Sequence, residues 1–131
     1  MREYSKALSF YEQGLVIQQT TLPSNHPLLA TSYSNIGSVY DSMREYTKAL
    51  SYYEKALEIY QKTLPSNHPL SATSYNNIGL VYYNTKDYSK ALSYYERALN
   101  IKQRTLPPTH PSIKMCYRFF LRKNIKLYLN C

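Results

Sequence analysis

A chain of 131 residues is long enough for one domain, and its composition, 44% hydrophobic and 18% charged, is ordinary for a soluble protein. No apolar run approaches the ~20 residues needed to span a bilayer, and Cys116 and Cys131, outside any repeating frame, form neither a disulfide framework nor a metal motif. Five of the eight net positive charges (Lys114, Arg118, Arg122, Lys123, Lys126) fall in residues 112–131, so the rest of the chain is only mildly basic and a general nucleic-acid binder is disfavoured.

One stretch recurs. Residues 4–27, YSKALSFYEQGLVIQQTTLPSNHP, return at 46–69 and again at 88–111, each copy 42 residues after the last. Of the 24 aligned positions in the second and third copies, 17 are identical, which chance does not produce. Self-similarity at this period marks an array of one unit. In such an array each unit touches its neighbours and the core grows as a stripe.

In chain order, residues 1–27 form a half unit built on its second helix, helix B. Ala7 and Tyr11 keep the helix B spacing, and Gly14 stands where later copies have Ala. No helix precedes it in the sequence, so residues 4–15 are expected to expose an apolar face. Residues 28–43 follow as helix A of a full unit, 28–69. Tyr33, Ile36, Gly37 and Tyr40 fall at i, i+3, i+4, i+7 on one helical face.

A three-residue turn, Met43, Arg44 and Glu45, leads to helix B at 46–62. There Ala49, Leu50, Tyr53, Ala56, Leu57 and Tyr60 share a face. So short a link makes A and B antiparallel neighbours. Helix B ends before Pro65, which cannot continue it, and Pro69 suits the first position of the next helix. His68 is expected at or just before the N-cap, with Ser66 and Asn67 able to satisfy free N–H groups.

The unit 70–111 repeats the pattern with Tyr75, Ile78, Gly79, Tyr82, Ala91, Tyr95 and Ala98. The 16 tyrosines, with no tryptophan, are expected to pack the helix interfaces and keep their hydroxyls at the wet edge. Residues 112–131 align with helix A, but Leu121 replaces the Gly and Asn124 the Tyr. This tail is either a basic capping helix or the altered end of a longer array; the half unit at the start favours the second.

Tyr33-x2-Ile36-Gly37-x2-Tyr40, Ala49-x3-Tyr53 and Ala56 resemble the tetratricopeptide signature W-x2-L-G-x2-Y, A-x3-F, A. The match covers about residues 2–111 and departs from it in using Tyr for Trp and Phe. The 42-residue period and the His-Pro before helix A resemble the kinesin-light-chain type. The resemblance implies one all-α domain over 1–131, a right-handed superhelical solenoid of antiparallel helix pairs. It also implies that helix A lines a concave groove, where an Asn can grip the backbone of an extended peptide. The amide is suited to that because it both donates and accepts.

The residues at those positions are Asn35, Asn76 and Asn77, with Ser34, Ser38, Tyr83 and Asn84 as groove neighbours. The expected function is therefore a non-enzymatic scaffold or adaptor in the cytoplasm, needing no cofactor. Its ligand is a peptide segment of another protein, favoured to be acidic by the mild positive charge. One alternative is a structural segment that associates with itself through the uncovered first helix. Another is weak binding of nucleic acid or an acidic surface through Lys114, Arg118 and Arg122. His26, His68 and His110 lie one repeat apart; helices pack ~8–10 Å apart, too far for these residues to meet on one metal ion at ~2 Å.

Overall fold

The computed structural model describes residues 2–105, which form five helices. They are α1 (Arg2–Thr21), α2 (Pro27–Ser42), α3 (Tyr46–Thr63), α4 (Pro69–Asn84) and α5 (Tyr88–Thr105). There is no strand among the described residues. Two compact units divide at the connector, one spanning Met1–Pro65 and the other running from Ser66 onward. The first holds α1 packed on α2 and the hairpin α2–α3; the second holds the hairpin α4–α5. The expected tail helix over 112–131, its basic residues Lys114, Arg118 and Arg122, and His110 lie outside the described residues.

Each hairpin is opened by a histidine. His26 and His68 are extended (φ −71°, ψ 136° and 139°), and Pro27 and Pro69 take the first helical position. The Nδ1 atoms of His26 and His68 accept from the N–H groups of Leu28 and Leu70, each at 3.1 Å. The imidazole thus satisfies one of the N–H groups that every helix start leaves free, a task the sequence also allowed to Ser66 and Asn67.

The turn that closes α2 is equally specific. Arg44 adopts φ 64°, while Glu45 donates to the Tyr40 carbonyl at 2.8 Å and Arg44 to that of Asp41 at 3.0 Å. Lys86 (φ 68°), Asp87 and the carbonyls of Tyr82 and Tyr83 repeat this arrangement after α4. Such a left-handed cap ties off the last carbonyls and sends the chain straight back along the helix it has left. At the far end the Leu64 N–H still reaches the Tyr60 carbonyl at 2.9 Å, and Pro65 stops the helix.

The centre of each hairpin is a contact between a glycine and a tyrosine. A Cβ on Gly37 would lie 2.9 Å from the Tyr53 ring and 3.3 Å from the Ala49 carbonyl oxygen. On Gly79 it would lie 3.1 Å from Tyr95 and 3.3 Å from the Ala91 oxygen. Tyr53 is 3% exposed, so its ring has little room to move aside. Toward the connector, Ala56, Ile59 and Tyr60 of α3 form one buried cluster with Leu29, Ala30 and Ile36 of α2 and Leu15 of α1. In the second unit Ala98 and Ile101 pair with Ala72, and Tyr75 packs against them.

The tyrosines at the centre of the two described hairpins pack as expected, whereas Tyr88 is exposed and Tyr117 and Tyr128 lie outside the described residues. Tyr52 stands between Tyr33 and Tyr40, at 6.1 and 5.7 Å; Tyr94 stands between Tyr75 and Tyr82, at 6.2 and 5.7 Å. Lys48 and Lys55 in one hairpin, and Lys90 and Arg97 in the other, lie over these rings. Of the apolar face expected over residues 4–15 of α1, Phe10 is exposed, but Leu15 is buried against α2 and Leu8 and Tyr11 pack there; Val16 and Ile17 beyond it are exposed.

Two stability predictions follow from these contacts. Gly37→Leu forces the Tyr53 ring aside and should destabilise the fold by about 1–3 kcal/mol, whereas Gly14→Ala, whose Cβ meets nothing within 4 Å, should stabilise it by up to about 1 kcal/mol. Urea denaturation of both variants checks the opposite signs. His68→Ala should lose about 1 kcal/mol with its cap and His68→Asn should lose much less, as read by thermal melting.

Candidate peptide-binding face

A helix buried on one side presents the residues opposite. On α2 the buried side is Leu29, Ala30, Ile36 and Gly37, and the exposed side is a stripe of Leu28, Thr31, Asn35, Ser38 and Ser42. On α4 the same register holds Leu70, Thr73, Leu80 and Asn84, all exposed, with Asn77 half-buried among them. Asn35 and Asn77 are therefore the middle residues of two equivalent stripes, one on each unit.

The predicted set divides on this geometry. Asn35 and Ser38 lie on the stripe of α2, and Asn77 and Asn84 on that of α4. Ser34 and Asn76, one residue earlier, are turned by ~100° and sit half-buried on its flank. Tyr83 is on the same flank, with its ring 5.2 Å from that of Tyr88 at the start of α5. It braces the turn. Leu28, Thr31, Leu70 and Thr73 belong to the stripes although the sequence pattern did not single them out. Counting back from each Asn by four and then three residues would have found them.

Ser38 is also tied to the hairpin core, because its hydroxyl hydrogen-bonds the Tyr53 side chain. Burial pushes the Tyr53 phenol up to about 12, the Asp41 charge adds to the rise, and the Ser38 bond partly offsets it. Tyr40 and Tyr52 are raised as well, first by burial; Glu12 and Glu45 add to the rise at Tyr40, and the neighbouring Tyr40 to that at Tyr52.

The stripes offer amides, hydroxyls and leucine side chains, a set that can hold a peptide backbone and shield part of its side chains. Among the described residues no group of His, Cys, Asp and Glu could hold a metal ion. No helix among them is long and apolar enough to cross a membrane.

The tetratricopeptide repeat profile matches residues 1–62 and 42–104. Among solved structures, the chain is similar to a Podosopora anserina kinesin-light-chain-like protein of nearly identical TPR-like repeats, at 27% identity and a TM-score of 0.82. That match covers 91% of this chain and 56% of the other, so the chain spans little more than half of that relative. BtubC (BKLC) from P. vanneervenii is 24% identical over 98% of this chain and 61% of its own, with a TM-score of 0.76. The Sgt2 TPR domain from Aspergillus fumigatus is 21% identical over 99% of this chain and 76% of its own, with a TM-score of 0.59. These last two likenesses are of fold. Among curated proteins no sequence matches the chain.

The Tyr53 phenol gives a pH prediction. Its folded value of about 12 lies above the free value of 10.0. Its contribution to stability is thus complete below pH 10 and lost as the pH rises toward 12. Denaturation midpoints should fall over that interval, and less steeply in Tyr53→Phe.

Proposed function

We propose, since the chain belongs to the tetratricopeptide repeat family and has repeats of the kinesin-light-chain type, that it is an adaptor whose helix A stripes hold an extended peptide of a partner protein. Tetratricopeptide repeats generally mediate contacts between proteins and are generally non-catalytic scaffolds. The finer reading rests on one observation: an Asn stands at the middle of the outward stripe of both α2 and α4, one period apart. Asn is a mediocre helix former, so nothing in helix stability favours it there. A side chain that can bond both a carbonyl and an N–H of one peptide unit gives it a use.

Asn35 on one unit and Asn77 on the other each take a stretch of peptide backbone. Ser38 and Asn84 supply further hydrogen bonds, and the exposed Leu28, Leu70 and Leu80 supply apolar contact. The flanking residues Ser34, Asn76 and Tyr83 border the stripes. Mild positive charge over the first 111 residues favours an acidic ligand, and the setting proposed for this adaptor is the cytoplasm. The reading concerns this chain alone and not the longer Podosopora protein.

The test is a peptide-array screen with the purified chain, followed by fluorescence anisotropy on a captured acidic peptide. Asn35→Ala and Asn77→Ala should each weaken capture about tenfold, the loss of roughly one to two backbone hydrogen bonds. Helicity by circular dichroism should not change. Capture that survives the double substitution rejects the ladder.

A further inference from the structure

The two full copies of helix B, α3 and α5, are nearly one sequence, and they part where charge is carried. Between residues 46–63 and 88–105 five positions differ, and Thr47 against Ser89 is neutral. In the other four, Arg97 and Arg104 of α5 stand where α3 has Lys55 and Lys62, Asn100 stands where it has Glu58, and Lys102 where it has Tyr60. Tyr60 is buried, but the other three positions are exposed in both helices, so hairpin packing does not govern them.

Lys90, Arg97 and Arg104 follow one another at seven-residue steps, two turns or ~10.5 Å apart, in one exposed row. Ser93 and Asn100 stand between them and are exposed too. The guanidinium carbon of Arg97 lies over the rings of Tyr94 and Tyr75, at 5.2 and 5.8 Å, and the Lys90 ammonium over Tyr82 at 5.4 Å. Contact with a ring face leaves the N–H fork of a guanidinium available to an anion, and it holds in place a side chain that binding would otherwise have to order. Among the described residues one ion pair touches the row, between Lys90 and Asp87 at 3.9 Å; Arg97 and Arg104 have none. The row does not owe its exposure to where the sequence stops. Lys48, Lys55 and Lys62 are also exposed in α3, which has described helices before and after it.

This chain holds nothing to fill the row. Its eight acids are scattered, residues 112–131 carry five bases and no acid, and a second copy would bring a net charge of +8. Nucleic acid suits the row poorly, because single strands seat their bases on open aromatic faces. Here Tyr75, Tyr82 and Tyr94 are covered by cations and by one another.

We propose that the Lys90, Arg97 and Arg104 row of α5 docks an acidic segment of a partner protein, extended along the helix with a carboxylate at every third residue. Three extended residues span ~10 Å, which matches the step of the row. Arg97 takes the central carboxylate through two N–H groups, and Ser93 and Asn100 bond the backbone between the acids. In α3 the same row contains Glu58, which repels such a ligand. The site is separate from the Asn77 stripe, since Asn77 is turned from Tyr75 by about 200° around α4.

A fluorescent peptide of Asp-Ser-Ser repeated three times is titrated into the full chain and read by anisotropy. Saturable binding is expected, and none with Asn in place of Asp. The triple variant Arg97→Lys, Asn100→Glu and Arg104→Lys gives α5 the side chains that α3 already carries, so helicity should be retained, while binding should weaken about tenfold or more. A triple variant that binds equally well overturns the proposal, as does the lack of saturable binding at about 1 mM peptide. Binding that is lost instead in Asn77→Ala assigns the peptide to the helix A stripe and overturns it. An oligothymidylate that binds more tightly than the peptide, and is released by the same triple variant, assigns the row to nucleic acid, which also overturns it.

Discussion

The hairpins depend on the absence of one atom group. At positions 37 and 79 no side chain stands between helix A and helix B, and the vacated space is filled by the ring of Tyr53 or Tyr95. A mid-helix glycine costs about 1 kcal/mol against alanine. A buried tyrosine ring returns more than that, since aromatic side chains dominate core energetics. The small Ala49 and Ala91 complete the approach from the other helix, and neither has any exposed surface. With backbones this close, the larger rings of Tyr33, Tyr40 and Tyr52 stack along the edge of the hairpin instead of wedging it open.

That contact also fixes what faces outward. Once Ile36 and Gly37 are committed to the interior, helical geometry leaves Thr31, Asn35, Ser38 and Ser42 on the opposite side. The same commitment by Ile78 and Gly79 places Thr73, Asn77, Leu80 and Asn84. The outward stripes are therefore a consequence of core packing, and their residues are free to vary without disturbing the fold. Leu80 in place of Ser38 shows such variation. It removes the hydroxyl that bonds Tyr53 in the first hairpin, yet Tyr95, the equivalent of Tyr53, is still buried.

Much of this was legible because the chain states its pattern more than once. The period located the hairpins, the Pro residues bounded the helices, and the spacing of Tyr, Ile, Gly and Tyr named the buried face of α2 and α4. Three features were less accessible. The imidazole acceptor of His68 was not distinguished from Ser66 and Asn67, since residue order alone does not say which side chain turns back to the Leu70 N–H. The left-handed turn at Arg44 and Lys86 was hidden because those residues are not glycine. Ser34, Asn76 and Tyr83 were grouped with Asn35 and Asn77 on one groove face, although they sit a large rotation about the helix away from those residues.

The first helix separates what a residue's type sets from what its neighbours set. Phe10 and Ile17 are at least as apolar as Tyr52 and Ile59, hold the same register and lie in the same kind of helix. Ile17 is nevertheless exposed where Ile59 is buried, and Phe10 is exposed where Tyr52 is half-buried. The difference is the presence of α2 against α3. Helical structure in this chain thus follows from local pattern and capping, while burial is conferred one neighbour at a time, as nearest-neighbour stacking requires. The tyrosine side of the same face makes the point again. Lys48 meets a ring because α2 brings Tyr40 to it, and Lys6, placed identically on α1, differs from it only in what lies opposite.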